Sequence, residues 1–264
     1  PRQIRVYQAM GVKIEDYPVF AHLPFVMGQD NAKLSKRNGE VSIAWYREMG
    51  FLPEAICNYL ALLGWSPGDD LENITMKQLT EMFTVEKVHS SPARFDMKKL
   101  EAINGDKIRA LTLDDFLKWS LPFLTKADVI TGTDAEIELV KKALPIIQER
   151  IIMLNEVPKM LKFLFTKNFA VEAESVSKIT DDASKEILKR SVKELETVSD
   201  WTHTNIEAVL RASLIEEMAL KPRIAFTALR IATTGSTISP PLFESMELLG
   251  KEACLLRINA GLAL

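Results

Sequence analysis

From about residue 42 to the end, the chain repeats apolar positions at helical spacing and separates them with short polar breaks. In the stretch PEAICNYLALLG, Ile56, Tyr59, Leu60 and Leu63 follow the i, i+3, i+4, i+7 spacing of an amphipathic helix, and Gly64 ends it. No strand-rich region and no repeat of fixed period is apparent. The pattern therefore predicts a mainly α fold.

Capping and turn residues divide this pattern into elements. Thr75, with a glutamine three residues later, predicts a capping box before the helix MKQLTEMF. The pair Asn104-Gly105 predicts a break between two short helices within SPARFDMKKLEAINGDKIRAL. A long apolar stripe predicts one helix over residues 134–154, in which Pro145 would introduce a kink.

Composition and charge limit the classes of function. A chain of 264 residues with 47% hydrophobic and 26% charged residues is typical of a globular protein of about two domains. No long uninterrupted apolar run is present, so we expect no membrane span. A net charge of −3 argues against indiscriminate nucleic-acid binding, yet basic residues outnumber acidic ones over residues 140–167. Such segregated charge predicts that one face binds a polyanion.

The few cysteines and histidines give no metal-ligand spacing. Cys57 and Cys254 are far apart, and His22, His89 and His203 are isolated from one another. We therefore expect no disulfide framework, no protein-bound zinc and a reducing, cytoplasmic compartment.

A short turn near the start carries the most informative side chains. Lys33, Leu34, Ser35, Lys36 and Arg37 read KLSKR, between an Asp-Asn pair and an Asn-Gly pair. Two ammonium groups and a hydroxyl in such a turn suit a polyphosphate ligand. Taken alone, the motif is more typical of a solvated basic turn.

The surrounding residues make the resemblance specific. The stretch AHLPFVMGQDNAKLSKRNGEVS resembles the second signature loop of class I aminoacyl-tRNA synthetases, usually written KMSKS. The stretches GFLPEAICNYLALLGWSPGDD, SPARFDMKKLEAINGDKIR and LKPRIAFTALRIATTGSTISPPLFESMELLGKEACLLRI resemble bacterial-type glutamyl-tRNA synthetases in particular. Leu34 replaces the usual methionine and Arg37 the usual final serine, a form that glutamyl enzymes commonly show. The resemblance runs from Arg2 to about Ile258 and is weaker between residues 165 and 200.

The resemblance implies roles for the residues of the turn. Lys36 would be the main catalytic cation, Lys33 and Ser35 would assist it, and all five residues from Lys33 to Arg37 would lie at ATP. When the substrate carboxylate attacks the α-phosphate and pyrophosphate leaves, mobile ammonium groups stabilise the charge that develops on the phosphates. The full-length enzyme would use ATP with Mg²⁺, glutamate and the glutamate tRNA, tRNA(Glu).

The resemblance also implies three regions. Residues 1–40 would be the tail of the catalytic domain with the KLSKR loop, and residues 41–115 a helical region that contacts the tRNA stem. Residues 116–264 would form an all-helical anticodon-binding domain, an α-helix cage. We expect a cytoplasmic monomer.

Arg150 is a candidate for contact with RNA. It lies at the edge of a stripe that contains Ile147 and Ile151, so its guanidinium can leave the core and reach a base edge or a phosphate. From the residues alone, the favoured interpretation is a helix-surface ion pair with Glu149 or Glu156, or a simple solvated arginine. The family resemblance implies that Arg150 recognises the third anticodon base and favours a glutamate anticodon over a glutamine one.

Arg230, Ser239 and Leu242 form a second group of candidates, in ALRIATTGSTISPPLFE. The two prolines after Ser239 introduce a helix N-terminus, whose free N–H groups can bind a phosphate or a base. The resemblance implies that all three residues lie near the unstacked anticodon bases. The alternative is a helix–turn–helix corner that Ser239 caps.

Three other interpretations remain open from the sequence. The chain could be a catalytically silent helical tRNA-binding module that keeps the loop as a relic. It could belong to a glutaminyl-tRNA synthetase, a family that ends in β-barrels. It could also be a general helical scaffold, which explains the stripes but not KLSKR and SPPLFE together.

The sequence lacks the HIGH-like motif and most of the nucleotide-binding sheet that class I enzymes carry. We therefore expect a C-terminal portion of such an enzyme, and we predict that the 264-residue chain alone makes no glutamyl adenylate. ATP–pyrophosphate exchange in the presence of glutamate measures this directly. Exchange above the no-enzyme background would contradict the prediction.

Overall fold

The chain folds as a series of packed helices. The computed structural model describes residues 2–28, 33–34, 42–68, 71–166 and 168–264. The α-helices of these residues are α1 Arg2–Ala9, α2 Ile43–Met49, α3 Pro53–Leu62, α4 Met76–Met82, α5 Met97–Arg109, α6 Leu113–Lys126, α7 Asp134–Ala143, α8 Pro145–Gln148, α9 Val157–Phe165, α10 Ala173–Val176, α11 Asp182–Thr197, α12 His203–Leu210, α13 Pro222–Thr234, α14 Leu242–Leu249 and α15 Lys251–Leu262. A π-helical segment, Arg211–Glu217, continues α12. Strand pairing over the described ranges is limited to isolated bridges, and the predicted mainly α fold is confirmed.

Local capping chemistry starts several of these helices. The Gln78 amide donates to Thr75 Oγ1 at 3.2 Å, and the Thr75 amide donates to Gln78 Oε1 at 3.0 Å, which is the predicted capping box. Thr133 and Glu136 make the same reciprocal arrangement before α7. The carboxylate of Glu136 accepts several such bonds, from the Thr133 backbone above all, and they lower its pKa to about 2.

Helix α5 continues through the predicted break at Asn104-Gly105, so that prediction is wrong. Asn104 is fully buried, and its Oδ1 accepts a bond from the Leu52 amide at 2.7 Å while its Nδ2 donates to the Ile152 carbonyl at 2.6 Å. At Gly105, an added Cβ would lie 3.1 Å from Ile152 Cγ2. The Asn-Gly pair here allows a close tertiary contact, and it does not form a turn.

The predicted single helix over residues 134–154 is also wrong. Helix α7 ends at Ala143, α8 runs only from Pro145 to Gln148, and residues 149–153 are not helical. Pro145 has no amide to continue the hydrogen bonding of α7. Further on, the Glu156 carboxylate accepts bonds from the Ile152 and Met153 amides, at 3.1 and 2.8 Å, and holds them out of a helix. Arg150 therefore lies just after a helix and outside its regular turns.

Two hydrophobic cores organise the described residues. The first contains buried residues from Tyr46 to Leu161, and the second contains buried residues from Ile179 to Ile258. The two cores meet where α7 packs on α14, and Leu248 of α14 packs against the first core. The predicted boundary between residues 115 and 116 falls inside the first core, within the first turn of α6, and stays a prediction about function. The boundary between residues 40 and 41 lies outside the described ranges.

The second half of the chain bears on two expectations. Over residues 116–166 and 168–264 the described elements are helices, and no β-barrel strands occur among them, which disfavours the glutaminyl alternative. No helix in the described ranges combines the length and apolar character that crossing a bilayer requires.

Gly50, at the end of α2, makes a close backbone contact with the segment after Arg150. Its φ is +88°, and an added Cβ would lie 2.5 Å from the Leu154 amide nitrogen. Gly132 has a similar φ of +92° with nothing within 4 Å of an added Cβ. Gly132→Ala should therefore lower the free energy of unfolding by about 1–2 kcal/mol, the cost of the left-handed backbone. Gly50→Ala adds a backbone clash and should cost about 1–3 kcal/mol more. Urea denaturation of the two variants measures the difference, and equal losses would contradict the observed contact.

Candidate nucleic-acid interface

The base of the KLSKR turn lies on residues that precede it. The Leu34 amide donates to the Val26 carbonyl at 2.9 Å, and Lys33 forms an antiparallel bridge with Met27. Lys33 is exposed, and its Nζ lies 3.9 Å from the centroid of the Phe25 ring. A cation–π contact of this kind holds the ammonium weakly, so an anionic ligand can compete for it. Ser35, Lys36 and Arg37, the other predicted residues of the turn, lie outside the described residues.

Backbone hydrogen bonds connect this turn to the first core. The Met27 amide donates to the Ala93 carbonyl at 2.9 Å, and the Phe95 amide donates to the Met27 carbonyl at 2.8 Å. The next amide, that of Asp96, donates to the hydroxyl of Tyr59 at 2.5 Å. Tyr59 is buried, and burial raises its pKa to about 12, so the hydroxyl stays neutral. Asp96 then caps α5, and the turn is thereby attached to a packed helix.

Arg150 is exposed at the end of α8. Gln148, two residues before it, donates Nε2 to the carbonyls of Ile108 and Leu111, both at 2.9 Å. Ile151, which follows it, is fully buried. Glu156 binds backbone amides, as described above, and no carboxylate of the described residues lies within ion-pair distance of Arg150. The fixed backbone and the unpaired guanidinium leave this arginine available to a ligand.

Arg230 and Ser239 lie together on the second core. Arg230 is partly buried on α13, and its Nη1 donates to Ser239 Oγ at 2.7 Å and to the Pro240 carbonyl at 2.8 Å. The Ser239 hydroxyl donates in turn to the Pro240 carbonyl at 3.0 Å. These acceptors are neutral, so the positive charge of Arg230 is not cancelled by them. Leu242, the fourth predicted residue, is 4% exposed and packs in the second core at the start of α14.

The two arginines lie close enough to repel each other electrostatically. Burial lowers the pKa of Arg230, the positive charge of Arg150 lowers it further, and the carboxylate of Glu244 opposes both effects. Arg150 belongs to the first core and Arg230 to the second, and they are separated by 80 positions in the sequence. Folding therefore places Arg150 near Arg230 as one basic surface at the junction of the cores. Ser239 is only 8% exposed, and it serves as a buried acceptor for the Arg230 guanidinium.

A cavity of about 530 Å³ lies next to this surface. Lys159 and Lys162 line it from α9, Phe169 from the segment between the cores, and Ser236 and Ser239 from the loop after α13. Both lysines are exposed and occur at i, i+3 spacing, so they share one face of α9. Lysine ammonium groups beside a groove suit backbone phosphates. Their signal in the sequence was the excess of basic residues over positions 140–167.

Sequence reasoning missed Glu244, whose carboxylate lies close enough to Arg230 to raise the pKa of that arginine. Its only signal is its position in the first turn of α14, where an acidic residue is typical of any helix. As for metals, no group of three or more histidine, cysteine or acidic side chains in the described ranges is arranged to bind one.

Comparison with known proteins gives matches along the whole chain. Residues 98–262 match the family model of an anticodon binding domain. Residues 1–102 match that of the catalytic domain of class I tRNA synthetases (E and Q). A glutamate–tRNA ligase of Saccharopolyspora erythraea is 44% identical over 99% of this chain, and one of Rhodococcus jostii is 41% identical over 100% of it.

The matched proteins are longer. The chain covers 53% of the Saccharopolyspora protein and 54% of the Rhodococcus protein, so it spans about half the length of the curated relatives it matches. The crystal structure of a glutamate tRNA ligase from Elizabethkingia meningosepticum, in complex with its amino acid, superposes with a TM-score of 0.79 at 25% identity. That superposition covers 99% of this chain and 54% of the other. With an anticodon-binding model over residues 98–262 and relatives of one name along its length, the chain belongs to the glutamate–tRNA ligase family of class I aminoacyl-tRNA synthetases.

Proposed function

We propose that this chain supplies tRNA recognition and the ATP-binding signature loop to a glutamate–tRNA ligase. The whole enzyme would activate glutamate with ATP and transfer it to tRNA(Glu) in the cytoplasm, as a monomer. The observation that carries the proposal is that Arg150 lies close enough to Arg230 to lower its pKa, while Arg230 binds Ser239. All three residues lie within the region that matches the anticodon-binding model.

The geometry suits an unstacked anticodon loop. RNA loops present base edges and phosphates together, and arginine can bind either with its planar fork of donors. Arg150 has no carboxylate partner among the described residues, so binding a base breaks no ion pair there. Arg230 is already held by Ser239 and Pro240, so its orientation is fixed before RNA arrives. Leu242 is buried, and we propose that it acts by supporting the start of α14 below this surface.

We propose that Lys33, Ser35 and Lys36 act on ATP in the whole enzyme, with Leu34 and Arg37 completing the loop. Lys33 contributes an exposed ammonium that can leave the Phe25 ring for a phosphate. Mg²⁺ is typically bound to ATP through phosphate oxygens and water, and the described residues offer no metal-binding group of their own. The part of this chain in the reaction is thus to neutralise phosphate charge and to hold the tRNA.

Arg150→Gln should reduce the preference of the chain for tRNA(Glu) over a tRNA with a glutamine anticodon. Losing a two-donor contact with a base removes about 1–3 kcal/mol of discrimination, which is about a 5- to 150-fold change in the ratio of dissociation constants. Fluorescence anisotropy with two transcripts that differ only in the anticodon measures this ratio. Arg47→Gln, at an exposed arginine of α2, is the matched control and should leave the ratio unchanged. An unchanged ratio in Arg150→Gln would argue against anticodon recognition at this residue.

Lys159→Gln should weaken the binding of both transcripts to the same extent. A lysine that contacts a phosphate contributes about one unit to the slope of log K against log salt concentration, and it carries no sequence information. Salt titrations of the variant should therefore give a slope about one unit shallower, with an unchanged ratio between the transcripts. Lys193→Gln, at an exposed lysine of α11, should keep the original slope. If both variants keep the original slope, Lys159 does not contact a phosphate.

A further inference from the structure

Arg257 is a buried cation at the contact between the two cores. It belongs to α15 and is 7% exposed, and its guanidinium lies 4.1 Å from the centroid of the Phe169 ring. Its Nη1 donates to the Thr233 carbonyl and its Nη2 to the Phe163 carbonyl, each at 2.8 Å. In the described part of the chain no carboxylate lies within ion-pair distance of it. This charge is therefore held by backbone carbonyls and an aromatic ring.

The two carbonyls lie at helix C-termini, one in each core. Phe163 is in the last turn of α9, which packs with α6 and α7 in the first core. Thr233 is in the last turn of α13, in the second core. Carbonyls in a last turn have no partner within their own helix, and the helix dipole makes that end negative. One planar guanidinium thus satisfies both helix ends and joins them with a fixed spacing.

The segment between the cores is attached at the same place. The Glu172 amide donates to the Gly235 carbonyl at 2.9 Å, directly after α13. Gly235 has a φ of +86°, and an added Cβ would lie 3.1 Å from the Ala170 carbonyl oxygen. The chain that connects the cores is therefore packed against the end of α13, beside Arg257.

We propose that Arg257 is a positioning residue that fixes the second core against the first, and so sets the spacing between Arg150 and Arg230. Arg230 lies on α13 less than one turn before Thr233, the residue that Arg257 binds. Arg150 lies on the first core, to which α9 belongs. A change in the relative orientation of α9 and α13 alters the position of one arginine relative to the other. Anticodon preference then depends on Arg257, although this residue does not contact the RNA; this last step rests on the proposed function.

The test compares Arg257→Met, Arg257→Lys and a control in the 264-residue chain. Arg190→Met is the control, because Arg190 bonds Ser213 and Glu217 entirely within the second core. All variants are assayed well below their unfolding temperatures. The first measurement is the ratio of dissociation constants for the glutamate and glutamine anticodon transcripts. The second is the distance distribution between spin labels at Lys118→Cys on α6 and Lys189→Cys on α11, in a Cys57→Ser background, by pulsed electron resonance.

Arg257→Met should broaden the distance distribution between the spin labels. It should also lower the anticodon ratio, the dissociation constant for the glutamine transcript divided by that for the glutamate transcript, at least about fivefold, which is the lower end of usual coupling between distant sites. Arg257→Lys keeps the positive charge but lacks the planar guanidinium that binds two carbonyls. Its anticodon ratio should therefore lie closer to that of the unchanged chain than the ratio of Arg257→Met does. Arg190→Met should lower stability and change neither measurement. An unchanged distribution in Arg257→Met overturns the proposal, and so does an unchanged ratio when Arg150→Gln lowers it. If Arg150→Gln also leaves the ratio unchanged, anticodon recognition at this surface is wrong, and the distribution alone decides whether Arg257 fixes the cores.

Discussion

The candidate RNA surface depends on the buried amide of Asn104. This side chain receives a bond from the Leu52 amide and donates one to the Ile152 carbonyl, and Leu154 completes the junction by donating to the Gly50 carbonyl at 3.2 Å. A buried polar group without partners costs about 1–3 kcal/mol, so these bonds form together or the junction fails. The same bonds hold the segment that follows Arg150. The position of that arginine is therefore set by residues about fifty and a hundred positions earlier in the chain.

This junction connects the base of the KLSKR turn to the segment around Arg150 through one helix, α5. The KLSKR turn is attached through Met27 to residues 93–95, and these lead directly into α5, the helix that carries Asn104. Helix α5 in turn holds the backbone on both sides of residue 150, through Ile108 to Gln148 and through Asn104 to Ile152. A tRNA bound at the arginines would thus lie at a fixed distance from the base of the loop. Under the proposed function, this connection would keep the anticodon site and the ATP-binding loop at a constant separation.

The sequence predicted what depends on local interactions and failed where tertiary contacts decide. Thr75 caps α4 as predicted because a capping box involves residues only three apart. Asn104-Gly105 has the composition of a turn, but the buried partners of Asn104 and the close approach of Ile152 keep it in a helix, and no local pattern shows them. Pro145 was recognised as a perturbation, yet the full break depends on Glu156, whose carboxylate binds amides that a helix would otherwise use.

The same distinction between local and tertiary interactions applies to the residues of the candidate site. The resemblance to a known family selected Arg150, Arg230 and Ser239, and the fold brings them together. Leu242 was selected by the same resemblance, but its burial could not be predicted from a helix start that looks exposed in sequence. Glu244 and Arg257 carry no motif, because their importance lies in what they face across the junction of the cores.

The electrostatics of this junction favour an anionic ligand over an empty site. Arg150 and Arg230 repel each other, and Arg230 is also partly removed from water, so the unliganded protein carries an unfavourable charge there. A second carboxylate could relieve this repulsion, but it would also compete with RNA for both guanidinium groups. Glu244 opposes the effect of Arg150 on Arg230, and the positive charge that remains is one that a phosphate can neutralise and that the edge of a base can bind through hydrogen bonds. The neutral acceptors of Arg230 hold its orientation and leave its positive charge to a ligand.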